Sequence, residues 1–157
     1  ASMQNAKGAK VGSERDIEEI ARVAVDCGLK AHKELGPGLL ESVYEAVLAF
    51  SLERHGLVVE RQKPIDIIYD GVIFNEGFRA DLLVERQLIV ELKSIERLAP
   101  VHGKQLLTYL RLARLPLGLL MNFGAGTFRE GLRRIVNNHT NIEASTLRVN
   151  QPPTIIS

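Results

Sequence analysis

Three charged side chains interrupt two apolar segments in the middle of the chain. Asp81 lies in the first segment, Phe78–Val84, while Glu91 and Lys93 lie in the second, Leu88–Lys93. Positions in such segments usually hold Val, Ile or Leu, because a buried charge loses its hydration unless another group compensates it. An Asp followed after nine residues by Glu-x-Lys is suited to a metal site that hydrolyses phosphodiesters.

A hairpin would bring the two carboxylates together. If residues 85–87 form a three-residue loop, Val84 faces Leu88 across it. Counting back along both arms then puts Asp81 directly opposite Glu91, with Cβ atoms about 4.5–5.5 Å apart. Two carboxylates at that distance repel each other unless a proton or a cation lies between them. Oxygen ligands with this spacing suit Mg²⁺, which usually keeps several of its waters.

Lys93 adds a cation to the same face, because it lies two residues beyond Glu91 on an extended arm. Its ammonium group could orient a water or stabilise negative charge on a phosphate while a bond breaks. A structural interpretation is also open: Lys93 and Arg79 could simply neutralise Asp81 and Glu91. The hairpin alone does not decide between the two.

The flanking patterns predict an α/β fold in which a central mixed β-sheet is flanked by helices. The apolar arms of the hairpin indicate that it is central and covered on both faces. Hydrophobic periodicity and turn residues predict the order α-α-β-β-β-β-α-β. The first half should hold a helix capped near Ser13 and ending before Gly36, and a second helix at 39–55. Extended segments are expected at 57–60 and 65–69, separated by Pro64, and at 72–74 after an Asp70-Gly71 turn; a further turn at Asn75–Gly77 leads to the hairpin at 78–93. The rest should form a helix at 101–114, a strand at 117–123 and a short element at 132–136.

Length and composition fit one globular domain, which we place at residues 13–137. We expect residues 1–12 to be a disordered lead or a cloning remnant, and residues 138–157 are a polar tail that the patterns do not assign.

The net charge of +1 gives no global basic field, so any nucleic-acid binding requires a local patch. Cys27 is the single cysteine, which excludes an intrachain disulfide; its apolar helical context predicts ordinary packing. With no apolar signal core, we expect a cytoplasmic protein.

Several segments together resemble one known family. Residues 38–44 read GLLESVY, which fits the pattern GxxExxY, and further similarity lies in HKELGPG, RADLLVERQLIVELK, QLLTY and LGLLMNFG, in family order from about residue 17 to 137. The chain thus resembles the GxxExxY family of the PD-(D/E)XK nuclease superfamily. The resemblance implies a restriction-endonuclease-like core of order α-β-β-β-α-β and metal-dependent cleavage of nucleic acid, with DNA favoured over RNA. Ala80 stands where the superfamily name has Pro.

The resemblance also implies roles for particular residues. Asp81 matches the motif Asp, and Glu91 and Lys93 match the (D/E)-x-K. Glu41 matches the helical acidic residue that often joins the metal site, and Gln105 matches a residue on the helix that follows the lysine strand. The implied catalytic set is Asp81, Glu91, Lys93, Glu41 and Gln105, and the implied ligands of Mg²⁺, with Mn²⁺ as a substitute, are Asp81, Glu91, Glu41 and the backbone carbonyl of Leu92.

Residues near the predicted site have weaker assignments. Tyr109, Lys104, Arg97 and His102 are candidate substrate contacts, although a solvated basic helix face explains the cations equally well. Tyr109 should share a face with Gln105, four residues earlier. Glu45 is expected on the surface, and Tyr44 in the packing that positions Glu41.

Three functions stay open on the sequence. The first is a Mg²⁺-dependent nuclease that acts on nucleic acid. The second is a catalytically silent nuclease fold that binds nucleic acid or a protein partner, which the near-neutral charge and small size would suit. The third is a phosphoesterase acting on small nucleotides. A homodimer is an open alternative to a monomer, and no membrane partner is expected.

Overall fold

The computed structural model describes residues 15–138 and 154–156. Within these ranges six strands form one mixed sheet with helices against it, which confirms the predicted fold class. In chain order the elements are α1 (Ile17–Leu35), α2 (Glu41–Arg54), β1 (Val59–Tyr69), β2 (Val72–Val84), β3 (Leu88–Lys93), α3 (Pro100–Ala113), β4 (Leu117–Asn122), α4 (Phe128–Gly131), β5 (Leu132–Val136) and β6 (Thr154–Ile156). None of the described helices is both long and apolar enough to cross a membrane.

The strands lie in the order β1-β2-β3-β4-β5, and β6 pairs with β2. Three neighbouring pairs along this path are antiparallel, and β3 pairs with β4 in parallel. The β3–β4 connection contains α3, as a parallel pair requires a crossover. The charged hairpin is formed by β2 and β3, so it occupies the middle of the sheet as predicted.

Two apolar clusters cover the two faces of β3. On one face Leu88, Val90 and Leu92 pack with the helices α1 and α2. On the other face Ile89 packs with α3 through Leu106. A strand buried on both faces loses its alternation of apolar and polar residues, which explains why LIVELK is apolar except for its two charged residues.

Two predicted interruptions are wrong, because β1 and β2 are long continuous strands. Pro64 lies inside β1 and is paired with Arg79; β1 is an edge strand of the sheet, where a missing N–H donor is tolerated. The predicted turn at Asn75–Gly77 is part of β2. Gly77 serves close packing there, since a Cβ atom on it would clash with the side chain of Ile67.

Other chain features agree with the predictions or extend them. The Asp70-Gly71 turn joins β1 to β2, and both residues have left-handed φ values of 54° and 75°, as a two-residue type I′ hairpin turn requires. The α1 helix begins after Asp16, whose side chain accepts a hydrogen bond from the backbone of Glu18. Ser13 and the predicted lead lie outside the described residues. From the unassigned tail, residues 154–156 form β6, parallel to β2.

Candidate active site

The hairpin has the register that the sequence predicted. Val84 pairs with Leu88, and Leu82 pairs with Val90. The loop at residues 85–87 is closed by a hydrogen bond of 3.0 Å from the Gln87 amide to the Val84 carbonyl. Asp81 and Glu91 are the next positions of this register, just beyond the last paired residues.

At that point the carboxylates of Asp81 and Glu91, in place of backbone carbonyls, accept hydrogen bonds from the amides of the opposite strand. The Asp81 amide donates to Oε1 of Glu91 at 3.0 Å. The Leu92 amide donates to Oδ2 of Asp81 at 2.8 Å. Each carboxylate is therefore held by the backbone of the opposite strand, and both carboxyl groups lie in the gap between β2 and β3.

The electrostatics of the pair favour a bound proton or cation. Burial, and after it the neighbouring Asp81 charge, raise the pKa of Glu91 to about 8, although a hydrogen bond from the Asp81 backbone and the Lys93 charge act in the opposite direction. Two carboxylates so close cannot both stay charged at low cost in a partly buried place. The pair consequently takes up a positive species when Glu91 ionises.

Lys93 lies on the same face of β3 as Glu91. The intervening Leu92 is 1% exposed and packs on the opposite face with α1 and α2. In residues 15–138, neither Asp81 nor Glu91 has an ion pair within 4 Å. Arg79 instead donates to the backbone carbonyl of Gln62 at 3.2 Å. The structural interpretation, in which Lys93 and Arg79 neutralise the carboxylates, is not supported.

Glu45 was predicted to be a surface residue, and this prediction is wrong. Glu45 is 7% exposed. Its Oε2 accepts from Nε of Arg61 at 3.0 Å, and its Oε1 accepts from Nε2 of Gln62 at 2.7 Å. Buried carboxylates are rare unless they are paired, and these two contacts supply the pairing.

Gln62 connects this buried carboxylate to the candidate site. Its Nε2 also donates to Oδ1 of Asp81 at 3.2 Å. Gln62 lies opposite Asp81, between the pairs Arg61–Leu82 and Lys63–Ala80, and has a left-handed φ of 49°. The amide therefore bridges two carboxylates, and the Asp81 side chain is held on both oxygens.

The sequence contained a signal for Glu45 but none for Gln62. Glu45, Leu48, Ala49 and Leu52 follow the spacing i, i+3, i+4, i+7, so they share one helix face. The prediction that Glu45 lies on the surface overlooked that face. The position of Gln62 depends on an irregular strand residue that no sequence pattern indicated.

The remaining part of the GxxExxY segment is divided between packing and surface. Tyr44 is fully buried, stacks on Phe123 with ring centroids 4.5 Å apart, and hydrogen-bonds through its hydroxyl to the backbone of Gly36 and Leu39. This confirms Tyr44 as a packing residue that holds the loop before α2. Glu41 is the first residue of α2 and is exposed, and its side chain contacts no other described residue by a hydrogen bond or ion pair.

Gln105 and Tyr109 share a face of α3, as predicted. Nε2 of Gln105 donates to the Tyr109 hydroxyl at 2.8 Å. The Tyr109 ring stacks on Phe78 with centroids 3.9 Å apart, so it is anchored to the start of the charged segment. The structure brings Gln105 together with Tyr109, and no hydrogen bond joins it to Lys93 among the described residues.

Two of the four histidines in the chain, His102 and His32, have structural partners. Nδ1 of His102 accepts from the Ala99 amide at 2.9 Å at the start of α3. His32 is buried, and its Nε2 donates to the Ala125 carbonyl at 2.9 Å. The substrate candidates Lys104 and Arg97 are exposed, which leaves them free to contact a partner.

Cys27 lies away from the carboxylate pair, beside a cavity of about 360 Å³ between α1 and α2. Its Sγ is 3.6 Å from Nδ1 of His55. Burial, then the charge of Asp26, raise the pKa of the Cys27 thiol, so it stays protonated near neutral pH. The predicted packing role agrees with this burial.

The donor set at the hairpin fits a hard divalent cation. Asp81 and Glu91 supply carboxylate oxygens in the gap between the strands, and the carbonyl of Leu92 follows directly in the chain. No group of three or more His, Cys, Asp or Glu side chains in the described part of the chain is arranged to hold a metal ion. Two carboxylates leave coordination positions for water, which suits Mg²⁺.

The sheet, the carboxylate pair and the following lysine define the class of protein. The family model of the PD-(D/E)XK nuclease superfamily matches residues 18–135. The chain belongs to this superfamily, whose members are generally nucleases that use divalent metals such as Mg²⁺. Searches of curated proteins and of solved structures gave no match.

Proposed function

We propose that this protein is a metal-dependent nuclease that hydrolyses phosphodiester bonds of nucleic acid, with DNA preferred over RNA. The observation that carries the proposal is the reciprocal contact of Asp81 and Glu91, which holds two carboxyl groups between β2 and β3. The GLLESVY segment supports the finer assignment to the GxxExxY branch.

Asp81, Glu91 and the Leu92 carbonyl would hold Mg²⁺ or Mn²⁺. A metal ion in such a site lowers the pKa of a bound water and stabilises negative charge on a phosphoryl oxygen. Binding requires the Glu91 carboxyl to lose its proton, because a ligating carboxylate must be ionised. Exposed Glu41 would join the ligands when substrate and metal are present.

Lys93 acts on the substrate in this proposal. Its side chain extends from the same face as Glu91, and no described carboxylate binds it within 4 Å. The ammonium group donates a hydrogen bond to the attacking water or to a phosphate oxygen, where a preorganised charge stabilises the transition state. Gln105 and Tyr109 would contact the substrate from α3.

Glu45 and Gln62 position Asp81 in this scheme. The carboxylate of Glu45 accepts from Nε2 of Gln62, so the amide nitrogen is directed at both carboxylates. One oxygen of Asp81 is thereby fixed by Gln62 and the other by the Leu92 amide. Lone pairs on both oxygens stay available, since a carboxylate has about four acceptor sites.

The test is incubation of the protein with linear, nicked and single-stranded DNA and with RNA, in Mg²⁺ or Mn²⁺. We expect cutting of at least one substrate that Lys93→Ala and Asp81→Asn each reduce by at least about 100-fold, the scale of one transition-state contact. Lys33→Ala, an exposed lysine on α1, is the matched control and should cut like wild type. Absence of cutting on every substrate would contradict the proposal.

A second function has two structural observations in its favour. Glu41 is exposed and has no hydrogen-bond or ion-pair partner among the described residues. The described residues also hold no cluster of three metal-binding side chains. A non-catalytic nuclease fold would show both features. Metal titration separates the two. Heat stabilisation by Mg²⁺ or Mn²⁺ that Asp81→Asn abolishes favours the nuclease, whereas no stabilisation favours a module that binds nucleic acid or protein without cutting.

A further inference from the structure

A polar cavity of about 280 Å³ lies beyond the carboxyl end of β4. Its lining combines one buried amide with charged side chains from the loop after β3 and from the region of α4 and β5. The polar residues of the lining are Asn122, Arg97, Arg133, Glu96 and Glu130. The mechanism proposed above uses none of them.

Asn122 is the buried amide, and one of its atoms lacks a partner. Asn122 is 1% exposed. Its Oδ1 accepts from the amides of Ile95 at 3.0 Å and Gly124 at 3.1 Å. These two N–H donors fix the orientation of the amide, because the reversed orientation would set its NH₂ group against them. Nδ2 is then a donor, and among the described residues nothing accepts from it. A buried donor without an acceptor is costly, so a ligand oxygen there would be favourable.

The cavity lies directly beside the candidate active site. Asn122 is the register partner of Lys93 in the parallel pair of β3 and β4. Partners in such a pair direct their side chains to the same face of the sheet. The Phe123 amide also donates to the Lys93 carbonyl at 2.8 Å. A nucleic-acid strand held at Lys93 would therefore lie next to the β-strand that carries Asn122.

Two guanidinium groups give the cavity hydrogen-bond donors for an anion. Arg97 and Arg133 form no ion pair with a carboxylate within 4 Å in residues 15–138. Arg133 also lines an adjoining cavity of about 280 Å³ that includes Pro100 and Gly103 at the start of α3. The first turn of α3 holds no acidic residue, so its N-terminal partial charge is uncompensated there.

Two carboxylates, Glu96 and Glu130, also line the cavity, so its lining holds as many negative as positive charges. Oε1 of Glu130 accepts from the Thr127 amide and caps α4. Glu96 is exposed, where water and salt screen its charge. Nη1 of Arg133 donates to the carbonyls of Glu130 and Leu132 at 2.9 Å each, so its other N–H groups are the ones that an anion can use. Arg97 is exposed. A guanidinium group presents its N–H donors in a fork that matches two oxygens of a phosphate.

We propose that this cavity binds a phosphate group of the nucleic-acid strand, next to the phosphate that is cut. The donors are Nδ2 of Asn122 and the guanidinium groups of Arg97 and Arg133. This inference rests on the proposed nuclease function for the identity of the strand. It assigns the substrate contact of Arg97 to a defined cavity instead of a diffuse basic surface.

The binding test uses metal-free protein in EDTA, so that no cutting occurs. Inorganic phosphate, and then a short single-stranded oligonucleotide, are titrated while the backbone amide signals of Ile95 and Gly124 are followed by NMR. Both signals should shift. Arg97→Gln and Arg133→Gln should each raise the Kd about tenfold, the effect of losing one charge-assisted hydrogen bond.

Two further variants make the binding test specific. Asn122→Asp keeps an oxygen for the Ile95 and Gly124 amides but replaces the free donor by a negative charge, so phosphate binding should be lost in a folded protein. Arg129→Gln removes an equally exposed charge on α4 that does not line the cavity, and it should bind like wild type. No shift at either amide, or equal weakening by Arg129→Gln and Arg133→Gln, overturns the proposal.

Cleavage kinetics separate this inference from the function on which it rests. The arginine variants should raise KM about tenfold and leave kcat within about twofold, as for contacts made equally in ground and transition states. Cutting by wild type with unchanged KM in both variants overturns the cavity and leaves the nuclease intact. Phosphate binding without any cutting supports the cavity as an anion site and contradicts the nuclease.

Discussion

Asp81 and Glu91 each accept a hydrogen bond from the backbone of the strand that carries the other, at 2.8 Å and 3.0 Å. The two carboxyl groups are thus placed by the sheet itself, before any metal arrives. Their repulsion is visible in the pKa of Glu91, which burial and the Asp81 charge raise to about 8.

Metal affinity should rise with pH up to about 8, the pKa of Glu91. Below that pH the metal must displace one proton, so the apparent affinity should grow about tenfold per pH unit. Calorimetric titration with Mn²⁺ between pH 6 and 9 measures this. Glu91→Gln should bind weakly and without that slope; an affinity in wild type that is flat over the range would contradict the assignment of Glu91 as a ligand.

Without metal, Glu91→Gln should stabilise the protein at alkaline pH. The pKa of Glu91 is about 8 in the folded chain, against 4.5 for an ordinary glutamate in water. The stability that the proton provides is therefore complete below pH 4.5 and is lost as the pH rises through 8. The wild type should lose on the order of a few kcal/mol across this window. Urea unfolding at pH 5, 7 and 9 measures the loss, and parallel curves for wild type and Glu91→Gln would refute it.

Gln62→Asn should separate backbone conformation from side-chain bridging. Asn tolerates the left-handed φ of Gln62, but its side chain is one methylene shorter and cannot join Glu45 to Asp81. We expect the free energy of unfolding to fall by about 1 kcal/mol, one hydrogen bond, and kcat to fall about tenfold. Glu53→Ala on the exposed side of α2 serves as the control. A kcat equal to wild type would remove Gln62 from the positioning role.

Tyr44→Phe should loosen the loop before α2 and leave the core packing in place. The ring keeps its stacking on Phe123, while the backbone of Gly36 and Leu39 loses its hydroxyl partner. A loss of about 1–2 kcal/mol in thermal or urea unfolding is expected. Hydrogen exchange should become faster at residues 36–40 and remain slow in β3. Unchanged protection of that loop would show that the hydroxyl bonds are dispensable.

The hairpin could be predicted from sequence because its geometry is local. A short loop fixes the register of an antiparallel pair, and one residue of slip would move every side chain to the other face. The order of the helices and the central position of β3 also followed from apolar runs. The interruptions at Pro64 and Asn75–Gly77 were mispredicted because edge placement and the packing of Ile67 on Gly77 are tertiary effects.

The rest of the site depended on contacts distant in sequence. Gln62 reaches Asp81 only because β1 pairs with β2 around a left-handed residue. Glu45 could have been identified from its position on the apolar face of its helix. Asn122 could have been identified by the argument that drew attention to Asp81: a polar residue inside an apolar strand loses burial and must have another role. The pairing of residues 154–156 with β2 had no signal in the sequence.

Gly124 determines how closely the two backbone segments beyond Lys93 and Asn122 approach each other. A Cβ atom there would overlap the backbone of Ile95, so the segments that follow Lys93 and Asn122 touch backbone to backbone. The Asn122 side chain joins the same two segments. The two segments form a stiff unit, because no side chain lies between their backbones. A side chain at position 124 would therefore displace Ile95 and, with it, the loop that continues to Arg97.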